Sequence, residues 1–131
     1  MIPKVSVIIT IYNREKYIED CARSLFEQTL DDVEFLFVDD ASTDNSVMIL
    51  RNLLEDYPKK KAMTKIICLK NNGGRAFARQ TGIDNVTGEY YVIVYSYCLS
   101  LNGDLIRHVC EYLRFRISSY SWLGLPVLAN K

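Results

Sequence analysis

The chain lacks a net charge, a long apolar run and a signal-peptide start. Its 16 basic residues balance 16 acidic ones, so the charge gives no support to a nucleic-acid or membrane-surface partner. No apolar stretch reaches the ~20 residues that cross a bilayer, and residues 1–4 (MIPK) do not have the layout of a signal peptide. These absences predict a cytoplasmic protein with no membrane span.

Paired cysteine motifs are also missing. The four cysteines, at positions 21, 68, 98 and 110, have no short spacing between them, so no zinc or other metal site is predicted. A free cysteine usually behaves as a small buried hydrophobe. We therefore interpret all four as reduced residues of the core.

A glycine-rich turn is absent after the first predicted strand, whose end reads ITIYN at residues 9–13. Dinucleotide-binding folds need glycines there so that the backbone can approach the pyrophosphate. The sequence therefore argues against an NAD or FAD site and against a Walker phosphate loop.

The chain does contain a regular alternation of apolar runs and helical patterns. Strands are predicted at residues 4–11, 33–38, 65–69, 90–94 and near 122–128, and helices at 14–28, 45–57, 75–84 and near 104–116. This order predicts an α/β protein with a doubly wound, parallel sheet. We expect residues 1–131 to form a single domain that buries its own core.

Two adjacent carboxylates, Asp39 and Asp40, follow a buried apolar strand and precede a helix. In open α/β sheets, ligands bind outside the carboxyl ends of the strands, so this pair is the leading candidate for a site. Residues 42–44 (STD) offer side-chain oxygens to the helix start. In the alternative interpretation, both acids only form an Asx turn and cap the helix.

An aromatic residue, Tyr12, ends the first strand at the same predicted edge. Its ring would stack on a base, while Asp40 on the neighbouring strand would accept a hydrogen bond from a base N–H. This combination suits a pyrimidine nucleotide. In the alternative, Tyr12 is only a wedge between loops and Asn13 is a helix cap.

Two glycines and two arginines follow the third predicted strand. Gly73 and Gly74 precede a helix start, and Arg75 and Arg79 lie four residues apart on that helix. Backbone amides, the helix dipole and guanidinium groups together favour phosphate binding. The alternative is a tight turn followed by arginines that face water.

Four ordered segments resemble the nucleotide-binding half of family 2 glycosyltransferases of the GT-A fold. They are residues 5–13 (VSVIITIYN), 38–46 (VDDASTDNS), 72–82 (NGGRAFARQTG) and 88–90 (GEY). The resemblance covers residues 3–100 well and implies a three-layer α/β/α sandwich with a mostly parallel central sheet. It also implies a nucleotide-diphosphate sugar, with a UDP-sugar favoured, as donor to a polysaccharide or glycan acceptor.

The resemblance further implies which residues bind the nucleotide. Thr10, Tyr12 and Asp40 would contact the base, with Asp39 nearby. The ribose and diphosphate would be lined by Asn72, Gly74 and Arg79. No catalytic residue is assigned.

The chain departs from the family pattern after the GEY segment. Family members carry a D-x-D type motif there, whose carboxylates hold Mn²⁺ or Mg²⁺ across the donor diphosphate. Tyr95 and Tyr97 occupy those positions, and Cys98 follows. Because neutral phenols are poor ligands for hard cations, we predict weak or absent metal binding and impaired transfer.

Length is a second departure. The acceptor-binding half of the family, which supplies the catalytic base of inverting members, would lie beyond Lys131, so we expect a truncated domain. Asp104, His108 and Glu111 are interpreted as solvated helix residues. The apolar residues near 115–128 would leave an exposed edge, which predicts a homodimer or a partner subunit.

Loss of the acidic motif also favours a rival function, a non-catalytic module for nucleotide binding or subunit interaction. A phosphoacceptor domain resembling response regulators is a poorer match. Such domains carry acids where this chain has Tyr12 and Asn71. Two function classes therefore stay open, a glycosyltransferase domain and a non-catalytic module.

Overall fold

A computed structural model describes residues 3–29, 31–95 and 128–130. The strands are β1 (Val5–Ile11), β2 (Val33–Asp39), β3 (Thr64–Cys68), β4 (Tyr90–Tyr95) and β5 (Leu128–Asn130). The helices are α1 (Ile18–Phe26), α2 (Ser46–Leu54), the single-turn α3 (Pro58–Lys61) and α4 (Arg75–Asp84). Several sequence predictions lie outside the described residues. They concern the helix near 104–116 and residues Tyr97, Cys98, His108 and Cys110.

The sheet has the strand order β3-β2-β1-β4-β5. β1 to β4 run parallel, and β5 lies antiparallel to β4, so the predicted mostly parallel sheet is confirmed. After β1 the chain builds β2 and β3 on one side and then returns to place β4 on the other. The strand order therefore switches between β1 and β4, and open α/β sheets bind ligands outside the carboxyl ends at such a point.

Helices cover both faces of the sheet, because alternate side chains of each buried strand point to opposite faces. On one face, the apolar side chains of β1 and β2 pack with α1 and α2 around Phe26, Phe35 and Phe37. On the other face, Ile8 and Leu36 pack beneath α4. The predicted three-layer α/β/α sandwich is thus confirmed.

One glycine decides how closely α4 approaches the sheet. A Cβ built on Gly82 would lie 2.5 Å from Ile8 Cγ2 in β1, so only glycine permits this contact. The close packing holds α4 directly over β1 and β2. As a result, the first turn of α4 lies near the carboxyl ends of these two strands.

The helix predicted over residues 45–57 covers only Ser46–Leu54 as α2, and two further predicted features also differ from the structure. α1 begins at Ile18 rather than residue 14, because residues 14–17 form a turn in which Ile18 N donates to Arg14 O at 2.8 Å. The core interpretation of the cysteines holds for Cys21, which is buried, and is wrong for Cys68, which is exposed. Cys68 ends β3, which lies at one end of the strand order among the residues that the structure describes.

The helices of the described residues are short or amphipathic. In residues 3–29, 31–95 and 128–130, none combines the length and apolar character of a bilayer-crossing segment.

A buried carboxylate joins β2 to the segment before β4, at the sheet edge opposite the predicted site. Glu34 is only 6% exposed and accepts hydrogen bonds from Ser6 Oγ, Thr87 N and Thr87 Oγ1. Lys65 Nζ lies 3.7 Å from it. Burial raises the pKa of Glu34, but these hydrogen bonds and Lys65 outweigh burial and hold that pKa below its ordinary value.

Glu34→Ala is expected to lower the free energy of unfolding by about 3 kcal/mol at neutral pH, because Ser6 and Thr87 lose their buried acceptor. The pKa of Glu34 is lower when folded than when unfolded, so its contribution is present above the unfolded pKa and lost as pH falls through the folded one. Urea denaturation from pH 7 to pH 3 measures both effects. The exposed Glu89→Ala is the control, and an equal loss in both variants would contradict the prediction.

Candidate functional site

The site begins where β1 and β2 end together. Ile11 pairs with Asp39 as the last residues of the two parallel strands, and Asp40 N donates to Ile11 O at 2.8 Å. Tyr12 and Asp40 therefore leave the sheet side by side. Tyr12 is 47% exposed, whereas Asp40 is only 4% exposed. An exposed aromatic residue and a buried carboxylate thus follow the two paired strand ends.

Asp40 joins the end of β2 to the loop that precedes α4. Its Oδ1 accepts a hydrogen bond from Gly73 N at 2.8 Å, and its Oδ2 accepts one from Gly74 N at 3.0 Å. Gly74 has φ +90°, a conformation that L side chains rarely adopt. A carboxylate has about four acceptor positions, so Asp40 keeps acceptor capacity for a further donor.

Asp39 has a different environment from Asp40. Its two carboxylate oxygens lie 3.4 Å and 3.3 Å from Ser42 N, which makes a long, local interaction. Because successive side chains of a strand point to opposite faces, Asp39 faces the α1 and α2 side while Asp40 faces α4. The two acids therefore do not act as a pair. The turn-forming interpretation describes Asp39 better than Asp40.

Thr10 lies in β1, the strand that separates β2 from β4, and is half-buried. Thr10 pairs with Val38 of β2 on one side and with Tyr95 of β4 on the other. Tyr95, which the resemblance aligns with the first position of the D-x-D motif, is therefore next to a predicted base-contacting residue in the sheet. Sequence resemblance alone did not establish this proximity.

The remaining predicted residues lie at the start of α4. Asn72 is exposed, and its Oδ1 accepts from Gly74 N at 3.2 Å. Arg75 is exposed in the first turn, and Arg79 is half-buried one turn later. Sequence reasoning missed Phe77, which is 56% exposed and lies against Gly73. The sequence contained one sign of this exposed ring, an apolar residue on a largely polar face of α4.

A loop clamp joins residues 13–15 to residues 42–46 above the edge. Asn13 N donates to Ser42 Oγ at 2.9 Å, and Thr43 N donates to Asn13 Oδ1 at 2.8 Å. Arg14 N donates to Ser46 Oγ at 2.8 Å, and Glu15 N to Asp44 Oδ2 at 3.1 Å. Sequence reasoning assigned this polar run to the start of α2 alone.

Asp44 serves both the clamp and the helix start. Its Oδ1 accepts from Ser46 N at 3.0 Å, while its Oδ2 accepts from Glu15 N. Burial raises the pKa of Asp44, but the hydrogen bonds from Ser46 and Glu15 outweigh burial and hold that pKa below its ordinary value. Asn13, in contrast, does not cap α1, because its side-chain oxygen binds Thr43 in the other loop.

The donor set does not fit the divalent metal that the resemblance implies. Among the residues that the structure describes, no three His, Cys, Asp or Glu side chains converge as metal ligands. The Asp40 carboxylate is bound by two backbone amides, and residues 95–98 (YSYC) bring no carboxylate. Hard divalent cations need several oxygen anions or carbonyls at one point.

Comparison with known proteins decides the family. The sequence model of glycosyl transferase family 2 matches residues 6–105. The chain belongs to this family. Its resemblance to family 2 glycosyltransferases is thereby confirmed, whereas the seven predicted nucleotide-binding residues stay predictions.

Bacterial relatives of the chain are also named as glycosyltransferases. The chain is 43% identical over 90 residues to the uncharacterized glycosyltransferase EpsJ of Bacillus subtilis, covering 69% of the chain and 25% of that protein. It is 31% identical over 128 residues to TuaG of the same organism, a putative teichuronic acid biosynthesis glycosyltransferase, covering 98% of the chain and 49% of TuaG. The chain thus spans less than half the length of either relative.

Solved structures agree with the GT-A sandwich. The mannosyltransferase PcManGT of Pyrobaculum calidifontis, in complex with GDP-Man and Mn²⁺, matches 86% of the chain and 33% of its own length, with TM-score 0.79 and 29% identity. Residues 1–349 of TarS from S. aureus, in complex with UDP-GlcNAc, match 86% of the chain and 31% of their own length, with TM-score 0.74 and 30% identity.

Asp40→Ala is expected to speed amide hydrogen exchange at Gly73 by about tenfold or more, because Gly73 N loses its acceptor, and to speed it less at Gly74, whose N keeps Asn72 Oδ1 at 3.2 Å. Exchange in β1 and β2 should change far less. The measurement is residue-resolved hydrogen exchange by NMR. The control is Asp84→Ala at the other end of α4, where the carboxylate accepts from Gln80 Nε2 at 2.9 Å. Unchanged exchange at both glycines would contradict the hydrogen bonds from Gly73 N and Gly74 N to Asp40.

Proposed function

We propose that this chain is the donor-binding part of a glycosyltransferase and binds a nucleotide-diphosphate sugar at the carboxyl edge of β1 and β2. One observation carries the proposal: the exposed Tyr12 and the buried Asp40 directly follow Ile11 and Asp39, the paired last residues of β1 and β2, next to the switch of strand order between β1 and β4. Such an edge is where open α/β sheets bind ligands. A flat, π-faced ligand with N–H donors fits this pair.

The base would stack on Tyr12 and donate an N–H to Asp40, with Thr10 beside them. Asp40 retains acceptor positions for this bond after binding Gly73 and Gly74. A pyrimidine base with one ring N–H between two carbonyls suits a single carboxylate. The structures of TarS in complex with UDP-GlcNAc and with UDP support uridine as the favoured base.

The ribose and diphosphate would lie toward α4. Asn72 and Gly74 would line the ribose, and Arg79 would pair with the diphosphate. Arg75 is exposed in the first turn of α4 and adds a second positive charge at this end of the helix. Because Asp40 already binds the amides of Gly73 and Gly74, cationic side chains would supply most of the attraction for the phosphates.

Metal would contribute little to donor binding. Tyr95 and Tyr97 stand where the family carries the carboxylates of its D-x-D motif, and Tyr95 pairs with Thr10. Phenols stay neutral near pH 7 and bind hard cations poorly. Without a metal, Arg75, Arg79, Lys70 or the helix amides would have to meet the charge on the leaving diphosphate, or transfer would be slow.

The acceptor would be a polysaccharide or another glycan polymer. Its hydroxyl would displace the nucleotide diphosphate from the anomeric carbon of the sugar, and Tyr12 and Asp40 would only position the donor. The names of relatives such as TuaG and the teichoic acid poly(glycerol phosphate) polymerase of Staphylococcus epidermidis support a polymer acceptor. The cytoplasmic location stays a prediction from the sequence.

A second candidate function is a nucleotide-binding or subunit-interaction module without transfer activity. The two tyrosines at the D-x-D positions favour it. In that case residues 1–131, predicted as one truncated domain, would act through a homodimer or a partner subunit.

Tyr12→Ala is expected to weaken UDP binding by about tenfold or more, because base stacking on an aromatic ring contributes roughly 1–3 kcal/mol. Tyr12→Phe keeps the ring and should stay within about threefold of the unmodified chain. Isothermal titration calorimetry with UDP measures both. Tyr17→Ala is the matched control, because Tyr17 is 41% exposed near the same loop. Equal affinity of Tyr12→Ala and the unmodified chain would exclude a stacking role.

UDP binding is expected to be the same in EDTA and in Mn²⁺, and Tyr97→Asp should create a dependence on Mn²⁺. The reason is that one carboxylate returns to a position that the resemblance aligns with the D-x-D motif. Calorimetric titrations with UDP and with GDP, each in EDTA and in Mn²⁺, measure the metal dependence of binding. Mn²⁺-dependent binding by the unmodified chain would contradict metal independence, and tighter GDP than UDP binding would reassign the base. No binding of either nucleotide would contradict the proposed function.

A further inference from the structure

Two strained residues flank the proposed nucleotide edge. Asn13 has φ 51° and Ala41 has φ 59°, and they are the only residues other than glycine with positive φ in the part of the chain that the structure describes. Each lies two residues beyond the last strand pair, Ile11 and Asp39. Asn tolerates the left-handed region better than most residues, but Ala does not. A backbone turned in this way persists only when its surroundings hold it.

The loop clamp supplies that restraint. The backbone amides of Asn13, Arg14 and Glu15 all donate to side chains of the loop that follows Ala41. Two bonds run in the opposite direction, from Thr43 N to Asn13 Oδ1 and from Asn45 N to Glu15 Oε2 at 3.3 Å. The two strained turns therefore hold each other in place.

Tyr12 lies between the sheet and this clamp. On one side Ile11 belongs to the β1 ladder and accepts from Asp40 N, and on the other side Asn13 both donates to and accepts from the second loop. The Tyr12 backbone is therefore fixed at both of its neighbours, although its ring is exposed. Fixing an aromatic ring before the ligand arrives reduces the ordering cost of binding.

We propose that Asn13 is a positioning residue for nucleotide binding, because its side-chain oxygen closes the loop clamp that holds Tyr12 beside Asp40. This role rests on the proposed function, since the affinity that it improves is that for the nucleotide. Asn13 itself need not contact the ligand. Its side-chain oxygen acts through Thr43, which donates both N and Oγ1 to it.

Two substitutions of Asn13 separate the side-chain bond from the backbone strain. Asn13→Gly accepts φ 51° without cost but removes the oxygen, whereas Asn13→Asp keeps an acceptor oxygen in the same position. The matched control is Asn85→Gly at the far end of α4, where Asn85 Nδ2 donates to Thr81 O at 2.7 Å. This control also removes one asparagine side-chain bond, but it lies away from the edge.

The experiment pairs UDP titration calorimetry with residue-resolved hydrogen exchange on the free protein. We expect Asn13→Gly to speed exchange at Thr43 N and to weaken UDP binding by about three- to tenfold, because Thr43 N and Thr43 Oγ1 both lose their acceptor. Asn13→Asp should restore UDP affinity to within about twofold. Asn85→Gly should leave both readouts at the edge unchanged.

Several results would overturn the proposal. Unchanged exchange at Thr43 in Asn13→Gly would exclude the clamp, and faster exchange with unchanged UDP affinity would exclude the positioning role. A loss of affinity that Asn13→Asp does not restore would also exclude it. If the unmodified chain binds UDP but these variants bind it equally, only this inference fails. If the unmodified chain binds no nucleotide, the proposed function fails and this inference fails with it.

A second variant decides the matter if Asn13→Gly does not fold. Ser42→Ala removes the acceptor of Asn13 N and leaves Asn13 in place. Its control is Ser24→Ala in α1, where the hydroxyl donates to Cys21 O at 2.8 Å. Weaker UDP binding in Ser42→Ala but not in Ser24→Ala would support the clamp, and equal binding in both would overturn it.

Discussion

The parallel register of β1 and β2 is the constraint on which the rest of this structure depends. Because Ile11 pairs with Asp39, the chain leaves both strands at the same height. Tyr12 and Asp40 then become neighbours, and the two loops that follow come close enough to exchange hydrogen bonds. A register shifted by one residue would turn Asp40 to the opposite face of the sheet, away from α4.

Asp40 links this register to α4. Its carboxylate is a fixed negative charge at the start of the helix, where backbone amides and the helix dipole favour an anion. The same amides are those that a bound phosphate would otherwise use. The protein has therefore placed its own anion at the helix start, so under the proposed function cationic side chains would supply most of the attraction for a diphosphate.

The strands and α4 could be predicted from the sequence because their signals are local. Apolar runs and helical periodicity identified α4 at its observed bounds and β1 to β4 within one residue at each end. The same reasoning could not find the partners of Asp40, since Gly73 and Gly74 lie 33 and 34 residues away. It also misread Cys68, because an apolar run does not reveal which strand lies at the edge of the sheet.

By itself, the sequence determined the α/β class, the order of the elements, the family and the segments that form the edge, because each depends on the types and spacing of nearby residues. Only the tertiary structure decided that Asp39 faces α1 and α2 while Asp40 binds the loop before α4, and that the polar run after them holds the Tyr12 loop as well as starting α2. These contacts join residues about 30 positions apart in the chain. Their formation depends on strand register and helix packing, which no local pattern encodes.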